Sequence, residues 1–409
     1  MFPECIECRG TRGMCGISPC PLLADIRGRL PTVEAGSVSE LVGPSPPSLF
    51  VGRFGYPKVR TGPSAAWIPD EGADATPPTS GDPADLFGRP LEEVAARHAN
   101  LITGGSTMSV SSPGSPDATL ETTQQIAMAE SSVDVELDFA RPIMVGGNPT
   151  FDSMSTPLGP SGEVLRAEVV GHASIPRKVD AVVDEDDLLA LDAMSELTEA
   201  SIGEAQISRL LSSGLLGREG SRKLVPTRWG ITATDDMLSK RLWEKVKGNP
   251  SLDKVLVYEA TYLDNIFHII LTPGLWAFHM LEAWTRGSVW TGTGKVLGDW
   301  EDLEPRSEYA HRITGAYYSA RLGVLEHMDS MNRSGACLVW RDIGPGYWAP
   351  VGVWLIRETV RDAMSRAPKQ FDTLTQAVDY VAPRISAPDD LRNSWFVKRS
   401  LQTTLDSFA

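Results

Sequence analysis

We predict an α+β fold, in which a body of mixed sheet and helices follows a small cysteine-rich head and precedes a flexible C-terminal tail. Strand-like and helix-like segments follow one another without the regular alternation of a doubly wound sheet. Four of the five cysteines lie within the first 20 residues, and the last ten residues are mostly polar. A chain of 409 residues is long enough to form two or three domains with a sizeable core.

The cysteines of the head are Cys5, Cys8, Cys15 and Cys20. Four clustered thiolates predict a tetrahedral Zn²⁺ site, whose binding energy lets a short segment fold without an apolar core. Two alternatives compete with zinc. A pair of disulfides is typical of secreted domains, but residues 1–30 contain no signal-like apolar segment. A redox pair usually opens a helix in a βαβ unit, and that context is missing here.

The charge distribution limits where nucleic acid can bind. A net charge of −15 excludes a uniformly basic nucleic-acid binder. Residues 1–30 carry four Arg against three acids, and residues 391–409 carry three basic side chains against one acid. Any DNA contact would therefore use local basic patches or the two ends. Without a targeting segment or a membrane span, we expect a cytoplasmic, nucleoid-associated protein.

The elements of the body are predicted from their apolar spacing. Residues 49–59 form a short β-like run with glycines, residues 70–83 an acidic loop, and residues 85–99 a helix with Asp85 as its N-cap. Residues 133–139 alternate as a half-buried strand. Further strand-like segments span 164–170, 178–183, 255–260, 265–271 and 276–284, and helix-like segments span 184–197, 202–211, 234–247, 317–328, 356–365 and 371–380.

The C-terminal tail contains Gln402, Leu405 and Phe408 at the spacing of a sliding-clamp-binding box, Q-x-x-h-x-x-a. One helical turn would place Leu405 and Phe408 on the same side as an apolar plug, while Gln402 hydrogen-bonds in a neighbouring pocket. Ala409 stands where a second aromatic is usual, which should weaken the contact. The alternative is a C-terminal helix that docks on its own domain.

One segment of the body carries candidate catalytic or binding groups. Guanidinium and ammonium groups beside an indole suit phosphate contact and base stacking. These candidates are Arg222, Lys223, Arg228, Asp235 and Asp236, with Trp229 between them.

A second set of acids, Asp134, Glu136 and Asp138, alternates along one strand and so shares one face of it. Three carboxylates on one face could hold a divalent cation for phosphodiester cleavage. The alternative is that they form the solvated face of an edge strand, and that Asp235 and Asp236 complement a helix dipole. Four histidines have no spacing typical of a ligand set, namely His98, His172, His311 and His327. His268 and His279 lie in apolar, strand-like sequence, where packed side chains are expected.

The head, the tail and several internal runs resemble the archaeal Nre family of DNA repair proteins over essentially the whole chain. Two departures are Gly230, where we expect serine, and the acidic stretch at 70–83. The runs that carry the resemblance are Phe50-Val-Gly-Arg-Phe-Gly-Tyr-Pro57, Gly62-Pro63, Ile126-Ala-Met128, Val133-Asp-Val-Glu136, Pro157-Leu-Gly-Pro160 and Arg222-Lys-Leu-Val-Pro-Thr-Arg-Trp229.

The resemblance implies four regions. They are a C4-type zinc finger at 1–30, an Nre N-terminal-type domain at 45–310, an Nre C-terminal-type domain at 311–397 and a clamp-binding tail at 398–409. It also implies a role in the DNA damage response, with the replication clamp PCNA and DNA as partners. The family gives no settled catalytic assignment. The alternative function is a metal-dependent nuclease or nucleotide-processing enzyme that uses the segment from Arg222 to Asp236.

Overall fold

The computed structural model describes residues 14–17, 20–21, 24, 36–67, 81–145, 156–288 and 294–401. These residues fall into two compact units. We call the unit that holds residues 36–237, together with 349–352, the N-terminal unit. The C-terminal unit holds residues 238–348 and 353–401, together with the described residues 14–17 and 20–21 of the head. Each unit contains one mixed sheet and several helices, and the α+β prediction is confirmed.

The sheet of the N-terminal unit has six strands in the order β1-β5-β6-β4-β3-β2. Neighbouring strands are antiparallel except β4 and β6, which are parallel. The strands are β1 (Gly36–Ser45), β2 (Leu49–Val51), β3 (Lys58–Ala66), β4 (Leu101–Ser109), β5 (Val133–Val145) and β6 (Ser161–Val170).

Helices complete the N-terminal unit around two apolar cores. One core joins the sheet to the helix that contains Ile126, and the other joins β2 and β3 to the helices around Val179, Met194 and Leu210. The helices are α1 (Leu91–Ala99), α2 (Ala118–Met128), α3 (Arg177–Val183), α4 (Ala190–Glu199), α5 (Glu204–Ser212) and α6 (Thr227–Val246). Residues 238–246 of α6 belong to the C-terminal unit.

Strand β5 shows the alternation that the sequence predicts. Val133, Val135 and Leu137 are buried, whereas the acids between them face outward. The strand prediction at residues 178–183 is wrong, because this segment is the helix α3. Val179, Val182 and Val183 are buried there at helical spacing, so packing of one helical face overrides the β-preference of valine.

Two helices begin at positions other than those predicted. Helix α1 begins at Leu91, directly after Pro90, and not at residue 85, since proline is tolerated at a helix start but not within it. Helix α6 begins directly after Pro226, whose carbonyl accepts hydrogen bonds from Trp229 (2.7 Å) and Gly230 (2.9 Å). Trp229 therefore lies in the first turn of α6.

The early start of α6 changes the role of two acids. Asp235 and Asp236 lie two turns inside the helix, and its first turn contains no acid. The expectation that they complement the helix dipole is wrong, because that effect is confined to the terminal turn. Gly230, the departure noted above, packs closely, since a Cβ at this position would lie 2.3 Å from Ser212 Oγ.

The C-terminal unit contains a second sheet of six strands, in the order β10-β9-β11-β8-β7-β12. Strands β9 and β11 are parallel, and the other neighbours are antiparallel. The strands are β7 (Val255–Tyr262), β8 (Asn265–Thr272), β9 (Ala277–Trp284), β10 (Val296–Asp302), β11 (Ala336–Ile343) and β12 (Lys369–Phe371). The helices are α7 (Gly315–Ser330), α8 (Trp354–Ser365), α9 (Leu374–Val381), α10 (Pro388–Arg392) and α11 (Trp395–Leu401).

A buried ion pair joins a helix to a strand inside the C-terminal unit. Arg321 of α7 and Glu301 of β10 are 2.7 Å apart, with side chains 0% and 1% exposed. Trp276 Nε1 donates to the same carboxylate at 3.0 Å, and Arg321 Nε donates to Ser239 Oγ at 3.0 Å. These hydrogen bonds satisfy both charges, as burial of an ion pair requires. Within the described ranges, no helix has the length and apolar character needed to cross a membrane.

Candidate nucleic-acid interface

The turn between β2 and β3 lies against the start of α6. The backbone N–H of Val51 donates to Thr227 Oγ1 at 2.9 Å, and the N–H of Gly52 donates to the carbonyl of Arg60 at 2.8 Å. The first contact ties the end of β2 to the first residue of α6, and the second closes the turn on itself. Residues 53–57 therefore form a loop beside the helix start.

Val110, the residue after β4, links the residues that precede α6 to this turn. The N–H of Val110 donates to the carbonyl of Pro57 at 2.9 Å, and the N–H of Leu224 donates to the carbonyl of Val110 at 2.8 Å. Residues 222–226 are thus linked through Val110 to the turn that precedes β3. The arrangement brings together two of the runs that carry the family resemblance.

Exposed aromatic rings lie where these segments meet. The rings of Tyr56 and Trp229 have centroids 5.4 Å apart and planes inclined by 52°. Tyr56 is 51% exposed, Trp229 is 46% exposed and Phe54 is 76% exposed. The guanidinium of Arg53 lies 4.8 Å from the centroid of the Phe54 ring. Large exposed aromatic side chains are unusual on a protein surface unless a partner covers them.

Cations accompany the rings. Lys58 follows the turn, Lys223 and Arg228 flank the approach to α6, and Arg53 lies within the turn itself. Among the described residues, neither Lys58 nor Lys223 has an ion-pair partner, and both side chains are exposed. We call this set the aromatic–basic surface; it consists of Arg53, Phe54, Tyr56, Lys58, Lys223, Arg228 and Trp229.

The aromatic–basic surface has the two kinds of group that hold single-stranded nucleic acid. Exposed rings offer faces for base stacking, and flanking ammonium and guanidinium groups contact phosphates. Sequence reasoning identified Lys223, Arg228 and the neighbouring Trp229, but not Phe54 or Tyr56. The sequence feature that could have identified these two residues is the aromatic run at residues 50–57, which glycines interrupt.

The side chain of Arg222 binds backbone carbonyls of its own unit, unlike the exposed side chain of Lys223. Its guanidinium donates to the backbone carbonyls of Gly217 (2.8 Å), Val183 (2.8 Å) and Glu185 (3.1 Å). These hydrogen bonds hold together the end of α3 and the segment before α6. Arg222 therefore has a structural role and is not included in the aromatic–basic surface.

Asp235 and Asp236 do not share a site with Arg222. Asp235 is 1% exposed and Asp236 is half-buried. Because Arg222 is bound to carbonyls at the end of α3, the structure does not bring Arg222 and these two acids together as one catalytic group.

The acids on the outer face of β5 form an ion-pair cluster with one arginine. Arg166 of β6 lies 3.8 Å from Glu136, 4.0 Å from Asp138 and 2.6 Å from Glu168. Hydrogen bonding to Arg166 lowers the pKa of Glu168. Across the described part of the chain, no group of three or more His, Cys, Asp or Glu side chains is placed to hold a metal ion.

The head and the tail are largely outside the described residues. Cys15 and Cys20 are described, are partly buried and form no disulfide with another described residue. Cys5 and Cys8 lie outside the described residues, and so do Gln402, Leu405 and Phe408. Helix α11 ends at Leu401 with Lys398 and Arg399 in its last turn.

Comparison with known proteins assigns the family. Residues 14–291 match the family model described as archaeal Nre, N-terminal, and residues 301–408 match the one described as archaeal Nre, C-terminal. No solved structure matches the chain.

Three curated relatives are similar over nearly their whole length. DNA repair protein NreB of Archaeoglobus fulgidus is 36% identical over 415 residues, covering 99% of this chain and 100% of the relative. NreA of the same organism is 33% identical over 99% of this chain and 98% of the relative. NreA of Haloferax volcanii is 35% identical over 92% of this chain and 90% of the relative. This chain therefore belongs to the archaeal Nre family of DNA repair proteins.

Proposed function

We propose that this protein binds unpaired DNA through the aromatic–basic surface and is recruited to the sliding clamp PCNA through its C-terminal tail. The observation that supports DNA binding most directly is the exposed ring pair of Tyr56 and Trp229 with cations beside it. Duplex DNA conceals its base faces by stacking, whereas gaps, flaps and displaced strands expose them. The surface therefore favours unpaired DNA.

Because the molecule is acidic overall, we expect DNA to contact it only over a small basic area. With a net charge of −15, most of the surface repels a phosphate backbone. Lys58 and Lys223, which have no ion-pair partner among the described residues, offer positive charge at one place. Binding of this kind weakens as salt rises, because phosphate contacts release condensed counterions.

Clamp recruitment rests on the sequence of the tail, which holds Gln402, Leu405 and Phe408 at the spacing of the box. Leu405 and Phe408 would supply the apolar plug and Gln402 the hydrogen bond.

The head would be stabilised by Zn²⁺ bound to Cys5, Cys8, Cys15 and Cys20. Thiolates are the soft ligands that zinc prefers, and four of them close a structural site without an open position for catalysis. The site would therefore supply folding energy to the head.

DNA binding is tested by fluorescence anisotropy of the full chain with a single-stranded oligonucleotide and with the matching duplex, over a range of salt. We expect tighter binding to the single strand. Lys58→Ala combined with Lys223→Ala should lower the salt slope by about 1.4, since each phosphate contact to a single strand contributes about 0.7. Lys178→Ala is the matched control, because this lysine is paired with Glu196 at 2.6 Å. Equal binding to duplex, or an unchanged slope in the double variant, would contradict the proposal.

Clamp recruitment is tested by co-purification with PCNA. Deletion of residues 402–409, and the double change Leu405→Ala and Phe408→Ala, should abolish the complex. The control is Thr403→Ala with Thr404→Ala, which alters the same segment between the box positions. Clamp binding that survives the deletion would rule out this role of the tail.

The zinc site is tested by elemental analysis of the purified full chain. We expect one equivalent of zinc, lost in Cys5→Ser and in Cys20→Ser but kept in Cys337→Ser, whose thiol is buried inside the C-terminal unit. A metal-free protein with two disulfides would favour the alternative assignment of the cysteines.

A further inference from the structure

Phe54 is the most exposed of the large apolar side chains that the structure describes, at 76%. It lies two residues before Tyr56, in the loop between β2 and β3. Tyr56 and Trp229 pack against each other, whereas Phe54 contacts no other aromatic ring among the described residues. Exposure of so large an apolar surface to water is unfavourable, so a partner that covers this ring gains free energy.

Hydrogen bonds fix the loop that carries Phe54. The N–H of Gly52 donates to the carbonyl of Arg60 at 2.8 Å, and the N–H of Lys58 donates to the carbonyl of Gly55 at 2.9 Å. Gly55 has a φ of +85°, and a Cβ at this position would lie 2.9 Å from the carbonyl oxygen of Lys58. This tight turn therefore requires glycine. Because the loop is already ordered, binding through it loses little conformational entropy.

The Phe54 ring has one face free for stacking. The guanidinium of Arg53 lies 4.8 Å from the centroid of the ring and covers one face. At 76% exposure, the opposite face is open to solvent. A phenylalanine ring has no polar atom, so it can lie against any flat base surface without leaving a hydrogen bond unmade.

The spacing along the loop relates this ring to the other two. Phe54 and Tyr56 are two residues apart, so their Cα atoms are separated by at most about 7 Å. This length is about two base spacings of 3.4 Å along a DNA strand. A strand whose unpaired bases stack on Tyr56 and Trp229 therefore reaches Phe54 within a few bases. If the bases at that point are paired, they present the flat end of a duplex to the ring.

The segments around these rings can accept a duplex end electrostatically. Residues 46–66, 101–116 and 220–234 contain no Asp or Glu, but they carry six basic side chains. The net charge of the chain is −15, so three neighbouring segments without an acid are a marked departure from the rest. A duplex carries about twice as many phosphates per unit length as a single strand. An end of duplex DNA therefore needs such an acid-free area more than a single strand does.

We propose that the DNA bound by this protein is a junction between duplex and single strand. The ring of Phe54 stacks on the last base pair, and the unpaired strand continues over Tyr56 and Trp229. Recessed ends, gaps and flaps all contain such a junction. Apolar side chains contact base steps in a similar way in proteins that bend DNA. The inference rests on the proposed binding of unpaired DNA by the aromatic–basic surface and adds the class of substrate.

Anisotropy titrations of the full chain with three DNA probes test the junction. The first probe is a hairpin whose open end carries an unpaired arm of about ten nucleotides, a usual length for a single-strand site. The second is the arm alone, and the third is the hairpin without an arm. The arm is attached at the 3′ end in one set and at the 5′ end in another. We expect the hairpin with its arm, in at least one polarity, to bind about tenfold tighter than the arm alone.

Variants assign this preference to the ring. Phe54→Ala should reduce the affinity for the junction to that for the arm, and should leave the melting temperature and the affinity for the arm unchanged. Phe54→Tyr keeps the ring and should keep the preference. Trp229→Ala should weaken the junction and the arm to the same degree. Met144→Ala, at a side chain 64% exposed on β5, is the control for loss of an exposed apolar group and should change neither.

A 2-aminopurine base in the last pair of the stem gives a second readout, because stacking quenches its fluorescence. We expect the emission to fall when the unmodified protein binds and to stay constant with Phe54→Ala. The same base in the middle of the stem should not respond. A rise in emission would show that the last pair opens, and would overturn stacking of the ring on an intact pair.

The two proposals fail in different ways. If neither the arm nor the junction binds, the proposed binding of unpaired DNA is wrong. If the arm binds but the junction binds no tighter in either polarity, only the junction is ruled out. A preference for the junction that persists in Phe54→Ala would likewise overturn the role of this ring.

Discussion

The ring of Tyr56 and the indole of Trp229 lie with their centroids 5.4 Å apart, although the two residues belong to distant parts of the sequence. Tyr56 comes from the turn between β2 and β3, and Trp229 from the first turn of α6. Both rings are about half exposed, so each offers a face to a partner. The hydrogen bond from Val51 to Thr227 holds the two segments together.

The first prediction concerns this ring pair. Trp229→Ala and Tyr56→Ala should each reduce single-stranded DNA affinity roughly tenfold, since stacking on one base contributes about 1–3 kcal/mol. The measurement is an anisotropy titration at fixed salt. Leu165→Ala, at a side chain 73% exposed on β6 of the same unit, is the control and should have no effect. Unchanged affinity in both aromatic variants would remove the rings from the interface.

A second prediction concerns the close approach of β3 and β4. A Cβ at Gly62 would lie 1.8 Å from the carbonyl oxygen of Gly104 and 2.8 Å from the Cα of Gly105. Because backbone atoms cannot rotate away, Gly62→Ala should destabilise the protein by about 3 kcal/mol or more.

Chemical unfolding of Gly62→Ala measures this cost. In Gly220→Ala, the matched control, the added methyl meets no atom within 4 Å, and we expect almost no change. Similar unfolding midpoints for the two variants would show that the strands separate easily at this point.

A third prediction uses the buried ion pair. Glu301→Gln removes a carboxylate that pairs with Arg321, 2.7 Å away, in a site with almost no solvent. Loss of one partner of a buried pair typically costs about 3–5 kcal/mol, because the buried guanidinium loses compensating charge.

The comparison is with an exposed pair. Arg166 and Glu168 are 2.6 Å apart, but their side chains are 52% and 54% exposed, and Glu168→Gln should cost less than about 1 kcal/mol. Urea unfolding of both variants gives the two values. Equal effects would show that water reaches Glu301.

A fourth prediction concerns acid stability. Burial lowers the pKa of His279 to about 3, whereas an unfolded histidine titrates near 6.5. The folded state therefore keeps this ring neutral while the unfolded state gains a proton. The stabilisation is complete above pH 6.5 and is lost progressively as the pH falls towards 3.

The slope of unfolding free energy against pH measures this effect. Between pH 6.5 and 4.5 the ring should account for roughly 2 kcal/mol of lost stability. In His279→Gln the slope should correspond to the uptake of about one proton fewer on unfolding, even if the variant is less stable at neutral pH. An unchanged slope would mean that His279 is protonated in the folded protein.

Much of the fold follows from apolar spacing alone. The strands predicted at 133–139, 255–260 and 265–271 are confirmed as parts of β5, β7 and β8, because their alternation or β-branched content reflects burial directly. Strands β7 and β8 pair with each other. Strand β11 was not predicted. It is buried throughout, yet it contains Arg341, whose charge breaks the apolar pattern and is paired with Glu282, 2.6 Å away in a different strand.

The candidate site was harder to predict from the sequence than the fold. The segment from Lys223 to Trp229 has a suggestive composition, but only the fold places Tyr56 next to it. The role of Gly104 could not be predicted either, because it depends on the close approach of Gly62 in the neighbouring strand.

Strand β3 has a consequence for the aromatic–basic surface. Lys58, at its first position, belongs to that surface, and Gly62 of the same strand lies against the backbone of Gly104. Four steps of about 3.3 Å each place this contact roughly 13 Å from the lysine. A slip of β3 along β4 would carry the lysine away from the rings, so the pairing of these two strands also aligns the groups proposed to contact DNA.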